Sequence, residues 1–85
     1  MKMIIANIYN LRDGVNVSGR IENGTVSVGD NLIVTTGSGD IPVKVNAIQG
    51  FQKSLNSATV DAGLVSINIG DIDVDLISNR DILHT

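Results

Sequence analysis

The sequence predicts a small all-β domain, and three observations lead to that prediction. Apolar and polar residues alternate in several short runs, which is the period of a strand with one buried face. Turn signals rich in glycine separate these runs at spacings of about 8–12 residues. No stretch has the apolar spacing of an amphipathic helix of useful length. The chain has 85 residues, so we expect a single domain, residues 1–85.

The most regular alternation lies in the first third of the chain. Val15, Val17 and Ile21 alternate with polar residues and predict one strand. Gly19 lies inside this run, where a glycine indicates a bulge or a sharp corner. The pair Asn23-Gly24 follows at once, and Asn-Gly is the strongest short hairpin signal because both residues tolerate positive φ.

Shorter runs predict the other strands. They are Ile4–Leu11, Asn31–Thr36, Ile41–Ile48, Ser57–Val60, a run through Val65, Ile67 and Ile69, and Ile82–Leu83. Turns are predicted at 29–30, 37–40 and 61–63, while 49–56 and 72–77 are ambiguous. Pro42 has no N–H to donate, so it belongs near the start of its strand or at a sheet edge. We favour a closed barrel over a sandwich, because closure leaves no exposed strand edge.

Composition restricts the possible functions. Hydrophobic residues make up 42% of the chain, so the domain has enough apolar surface for a core. There is no cysteine, which excludes disulfides and thiolate metal sites. The net charge of −3 argues against a large nucleic-acid-binding face, which needs clustered Lys and Arg. The apolar run at 3–6 is too short to span a membrane, so we expect no membrane association and a cytoplasmic location.

The segment from Val17 to Asp30 carries a family resemblance. It reads VSGRIENGTVSVGD and resembles the second-domain signature of translation elongation factor Tu and its relatives, roughly V-T-G-R-V-x-x-G-x-[VI]-x-x-G-[DE]. The flanks resemble the family more weakly, at 7–14, 43–53, 62–63 and 80–83. The resemblance implies a closed six-stranded Greek-key β-barrel of the translation-factor domain 2 type.

The chain also departs from that family at informative points. It has no G-x-x-x-x-G-K-[ST] phosphate loop, so we predict no binding of guanine nucleotides. Gly37 and Gly39 lie between predicted strands and are interpreted as a hairpin turn. The acidic pair that helps these factors hold the aminoacyl end of tRNA reads Ala6-Asn7 here, so this contact is not carried over.

Few residues suggest metal binding. Asp71, Asp73 and Asp75 alternate, so on a strand their carboxylates would share a face, and oxygen clusters suit hard cations. A calcium-binding loop needs glycine and glutamate where Leu76 and Ile82 stand. A solvated acidic edge is therefore the preferred interpretation, and we predict no metal site and no cofactor.

The sequence offers no catalytic constellation either. His84 is the only histidine and is interpreted as an idle surface group, so no triad can form. Glu22 and Asp30 are interpreted as solvated caps rather than an acid–base pair. Tyr9 and Phe51, the only aromatic residues, are expected to pack in or near the core. We predict that the protein is not an enzyme.

These observations favour a non-enzymatic binding module. In the family resembled, this domain contacts ribosomal RNA and neighbouring domains, and Arg20 is a candidate for such a contact. The preferred interpretation of Arg20 is nevertheless a structural ion pair with Glu22 or a nearby carboxylate across the barrel. Arg20, Glu22 and Lys53 are the predicted partner-contact residues. We expect a protein or neighbouring domain as partner first and ribosomal RNA or a ribonucleoprotein second. A monomer is favoured; the alternative is a structural β-barrel protein that forms homodimers.

Overall fold

The computed structural model describes residues 1–85 as eleven β-strands, two single-turn 3₁₀ helices and no α-helix. The strands are β1 (Lys2–Ile4), β2 (Asn7–Leu11), β3 (Gly14–Asn23), β4 (Thr25–Ser27), β5 (Asn31–Thr36), β6 (Gly39–Lys44), β7 (Ala47–Gly50), β8 (Lys53–Leu55), β9 (Ser57–Thr59), β10 (Leu64–Asn68) and β11 (Ile82–His84). The 3₁₀ turns are Val60–Ala62 and Val74–Leu76. The all-β prediction is confirmed.

Nine strands form one antiparallel sheet. Its hydrogen-bonded order is β6-β5-β11-β1-β3-β10-β7-β8, and β2 also pairs with β3. β4 and β9 form a separate two-stranded sheet. The end strands β6 and β8 do not pair with each other, so the hydrogen-bonded sheet is not closed. The predicted closed six-stranded Greek-key barrel is therefore not confirmed.

Strand β3 lies at the centre of this sheet. It pairs with β1 and β2 on one edge and with β10 on the other. Val15, Val17 and Ile21 are buried, as the alternation predicts, within a core of 17 hydrophobic residues. Gly19 makes a close backbone approach, since a Cβ added there would be 2.5 Å from the carbonyl oxygen of Ile4.

The predicted strand Ile4–Leu11 is in fact two strands along the same edge of β3. They are separated at Ile5 and Ala6, because Ile5 exchanges backbone hydrogen bonds with the C-terminal segment instead. Its N–H donates to the carbonyl of Asp81 at 2.9 Å, and its carbonyl accepts from the N–H of Arg80 at 2.7 Å. The break is thus caused by residues about 75 positions away along the chain.

The Asn23-Gly24 signal predicts a hairpin turn; the chain does bend at Gly24, but no hairpin forms. Gly24 has φ of +76°, and the chain then enters β4, which pairs with β9 rather than with β3. The last residues of β3 already pair with β1, at Lys2 and Met3. That edge is therefore occupied where a hairpin partner would lie.

The predicted strand Ile41–Ile48 also divides. Val45 leaves the first part to exchange backbone hydrogen bonds with Gly29 and Asp30, at 2.8 and 2.9 Å. β7 then pairs with β10 and, through a two-residue turn, with β8. Pro42 lies in β6, an edge strand whose single partner is β5, as predicted. No helix in the structure is long and apolar enough to cross a bilayer.

Candidate binding surface

Both aromatic residues are exposed, and the expectation that they pack in the core is wrong. Phe51 is 85% exposed and Tyr9 is 48% exposed. Phe51 lies in the turn of the β7–β8 hairpin, beyond the last pair, Gly50 with Lys53. A two-residue turn projects past its sheet and has no neighbouring element to cover it. A local pattern does indicate this exposure, because Phe51 stands between a glycine and polar residues in the ambiguous segment 49–56.

A cleft of about 510 Å³ lies on the outer face of the sheet and reaches both aromatic side chains. It extends from β2 across β3 and β10 to the β7–β8 hairpin. Every side chain lining the cleft is uncharged at neutral pH. The lining residues are Asn7, Tyr9, Ser18, Gln49, Gly50, Phe51, Gln52, Ala62, Leu64, Val65 and Ser66.

A row of polar residues crosses the floor of this cleft. Asn7 is paired with Ser18, Ser18 with Ser66, and Ser66 with Gln49. Residues directly opposite each other on antiparallel strands have side chains on the same face of the sheet. These four residues therefore present two hydroxyls and two amides in one line across four strands.

Ser18 is the unusual member of this row. It is only 6% exposed, and its Oγ makes no hydrogen bond in the structure. Buried polar atoms nearly always have a partner, since an unpaired hydroxyl loses its bonds to water without replacement. Alternation on β3 identifies Ser18 as a residue of the outer face, but no sequence pattern shows that it is buried and unpaired.

A second cleft, also of about 510 Å³, lies on the other side of Phe51. It shares Gly50, Phe51 and Ala62 with the first cleft and includes Lys53. Phe51 thus stands between two concave surfaces. Val60 and Leu64, which lie on either side of Ala62 in the sequence, are both exposed.

The three predicted partner-contact residues do not form one cluster. Arg20 is exposed on β3, opposite Leu64 of β10, and lies two residues along the strand from Ser18 of the cleft floor. Lys53 lies in the second cleft. Glu22 forms an ion pair with Lys2, at 3.7 Å between Oε1 and Nζ.

The preferred interpretation of Arg20 as part of an ion pair is wrong. The only salt bridge in the structure joins Lys2 to Glu22, so Arg20 has no carboxylate within 4.0 Å. Its Nη1 lies instead 3.7 Å from the position that a Cβ on Gly63 would occupy. The guanidinium is therefore exposed and has its donors available.

The other candidate residues have structural roles. Asp73 caps a 3₁₀ turn, its Oδ1 accepting from the N–H of Asp75 at 2.9 Å, and the segment is not a strand that would align three carboxylates. Asp30 caps its turn, as predicted, by accepting from the N–H of Ser27 at 2.8 Å. His84 is not idle, because its Nε2 is 2.7 Å from Oγ1 of Thr35. No three side chains of His, Cys, Asp or Glu are grouped as a metal site would require.

Two solved structures of translation elongation factors resemble the whole chain. The apo form of SelB from Methanococcus maripaludis is 30% identical over 99% of this chain, with a TM-score of 0.85. A bacterial selenocysteine-specific elongation factor, EF-Sec, is 15% identical over 98% of this chain, with a TM-score of 0.83. The second likeness concerns the fold alone.

The extent of these matches defines what they show. The chain spans 18% of the SelB structure and 14% of the EF-Sec structure. No family model matches the sequence, and no curated protein matches it. The chain is a β domain like those of translation elongation factors.

Proposed function

We propose that this domain is a non-enzymatic binding module that corresponds to domain 2 of translational GTPases. In this proposal it docks a partner on the outer face of the sheet, around the cleft between Tyr9 and Phe51. A protein or neighbouring domain is the first choice of partner, and a ribonucleoprotein is the second. The module acts in the cytoplasm. Support comes from the Val17–Asp30 resemblance together with the SelB likeness over 99% of the chain.

The observation that carries the proposal is the exposure of Phe51. A phenylalanine that is 85% exposed keeps most of its apolar surface in water, and burial of that surface favours association. Aromatic side chains, phenylalanine included, are also enriched in the buried cores of protein interfaces. Phe51 has concave surfaces on both sides, so a partner can enclose it.

The surroundings of the cleft support binding rather than catalysis. General acid–base chemistry most often uses a histidine, carboxylate or lysine, and less often a tyrosine or cysteine, within hydrogen-bonding reach of the reacting group. Of these residue types only Tyr9 lines the cleft, and no second such group lines it with Tyr9. We infer that the module performs no reaction and binds no guanine nucleotide, since it has no phosphate loop.

Arg20 supplies a charged contact beside the apolar one. An exposed guanidinium without an intramolecular partner can donate two parallel hydrogen bonds to a carboxylate or a phosphate. Lys53 lies in the second cleft, beyond Phe51, together with Asp61. Glu22 is the weakest member of the predicted set, because its carboxylate is already paired with Lys2.

Capture by the immobilised domain tests the proposal. Wild type, Arg20→Ala and Arg12→Ala are compared for retention of ribosomes and of lysate proteins, with and without ribonuclease. Arg12 is also exposed, so its replacement changes the charge equally and serves as the control. We expect one specific partner to be retained by wild type and Arg12→Ala, and retention to fall about tenfold with Arg20→Ala. Equal retention by all three proteins would show that Arg20 does not contact the partner.

The alternative function is homodimer formation through the exposed side chains around Phe51. A stable dimer buries about 800 Å² per subunit, whereas the net charge of −3 opposes self-association. Sedimentation over a range of concentrations separates the two functions. We expect a species of 9.0 kDa; a dimer at all concentrations, with no partner captured, would establish the structural role instead.

A further inference from the structure

We propose that the cleft between Tyr9 and Phe51 receives an uncharged peptide segment of the partner. An apolar side chain of that segment packs against Phe51, and a backbone amide pairs with the hydroxyl of Ser18. This inference rests on the proposed binding function and specifies the chemistry that the cleft recognises.

Charge favours a peptide over a nucleic acid. Binding of RNA or DNA depends on Lys and Arg that neutralise phosphates, and no cation lines the cleft. Arg20 and Lys53 lie outside it, and the chain as a whole carries a net charge of −3. An anionic ligand would thus enter a neutral cleft in a negatively charged protein. A neutral segment has no such penalty.

The polar floor matches the hydrogen-bonding groups of a peptide backbone. A peptide unit has one donor and one acceptor, and the floor has two central hydroxyls with an amide at each end, all of which can donate and accept. Ser18 is central in this row and has no partner for its Oγ. Because Oγ has almost no exposed surface, Ser18 must turn to another of the staggered rotamers open to it to reach a ligand. The hydroxyl then gains a partner that no group of the protein supplies.

The walls fit an apolar side chain. Tyr9 and Phe51 are both exposed at the cleft, and Leu64, which is 54% exposed, lies in the lining between them. Aromatic rings attract other rings in edge-to-face or offset arrangements beyond the effect of buried area. The volume of about 510 Å³ is within the range of small-ligand sites, about 300–1,000 Å³.

NMR titration of the full chain tests this inference. The probes are N-acetyl-phenylalaninamide, the corresponding aspartate derivative, and adenosine, each at millimolar concentration. We expect the aromatic probe to shift the amides of Gln49, Leu64 and Ser66 in a saturable manner. The charged probe should bind at least about threefold more weakly, and adenosine should not saturate. Saturation by adenosine alone, or by no probe, would overturn the proposal.

Variants locate the contacts. Phe51→Ala and Ser18→Ala should each lower the affinity for the aromatic probe by about threefold or more. Leu64→Ala should weaken it as well, whereas Leu76→Ala, at an equally exposed leucine outside the cleft, should not. Unchanged affinity in Ser18→Ala would show that the Ser18 hydroxyl does not pair with a backbone amide of the ligand. If the aromatic probe does not bind while the capture experiment still retains a partner, the proposed binding function stands and only the proposed peptide ligand is wrong.

Discussion

Strand β3 and the β7–β8 hairpin differ in the number of neighbours that hold them. β3 pairs with three strands and contributes Val15, Val17 and Ile21 to the core. The hairpin pairs with β10 on one side only and exposes Phe51 at its turn. Regions with many neighbours tolerate little change, whereas regions with few neighbours can present side chains to a partner. The comparison predicts that substitutions in β3 affect stability most and that substitutions at the tip of the hairpin affect it least.

The largest effect is expected at Gly19. Gly19→Val would place a Cβ 2.5 Å from the backbone oxygen of Ile4, and a backbone atom cannot move aside without disturbing the pairing. We expect the free energy of unfolding to fall by about 3 kcal/mol, measured by denaturant titration. Gly37→Ala is the control, since nothing lies within 4 Å of that position. A loss below about 1 kcal/mol at Gly19 would show that β3 is less constrained than its neighbours suggest.

A smaller loss of stability is expected at Gly24, the residue that follows β3. Gly24→Val combines a positive φ of +76° with a contact 2.8 Å from the backbone of Met1. The two effects together should lower the free energy of unfolding by about 2 kcal/mol. Gly29→Val separates them, because Gly29 has a positive φ but no atom within 4 Å. Equal losses at the two positions would mean that the contact with Met1 contributes nothing.

Ser18 should respond in the opposite direction. Ser18→Ala removes a buried hydroxyl that has no partner, so the free energy of unfolding should rise by about 1 kcal/mol. Ser66→Ala, at the half-buried neighbour in the same row, should leave it within about 0.5 kcal/mol. A decrease in Ser18→Ala would indicate that the hydroxyl already has a stabilising partner in solution.

The smallest effect on stability is expected at the tip of the hairpin. Phe51→Ala should change the free energy of unfolding by less than about 0.5 kcal/mol, because the side chain is already in water. Ile48→Val in the same hairpin removes one methyl group from a buried side chain and should cost about 1 kcal/mol. A large loss in Phe51→Ala would show that this residue holds the fold and would weaken its assignment to binding.

Local patterns were sufficient for much of the fold. Alternation predicted the buried face of β3, and β5 matches its predicted bounds Asn31–Thr36. Pro42 was correctly placed on an edge strand, because its missing donor is a property of the residue itself. The turn at Gly24 also followed from local preference, although the strand that comes after it did not.

Non-local pairing explains most of the failures. The break at Ile5 arises from Arg80 and Asp81, and the break at Val45 arises from Gly29 and Asp30. The interruption at Ile5 leaves no mark in its own segment, because the apolar run continues through it. Near Val45 the apolar alternation does change register, at Ala47 and Ile48, but this change does not show which residues Val45 pairs with. The aromatic residues were misplaced for a related reason: hydrophobicity predicts that a side chain benefits from burial, not that the fold provides a place for it. The cleft therefore could not be predicted from the sequence, although Arg20, which lies beside it, was predicted as a partner-contact residue.

The position of β11 determines when the fold can be completed. This strand of three residues is the only link between β5 and β1, pairing with both along its full length. About 80 residues separate its partners in β1 from its own residues, so the contact closes a long loop. During synthesis, β1 is made about 80 residues before β11 and must wait for residues 82–84 to leave the ribosome. Until then the open edges of β1 and β5 are free to pair with other nascent chains.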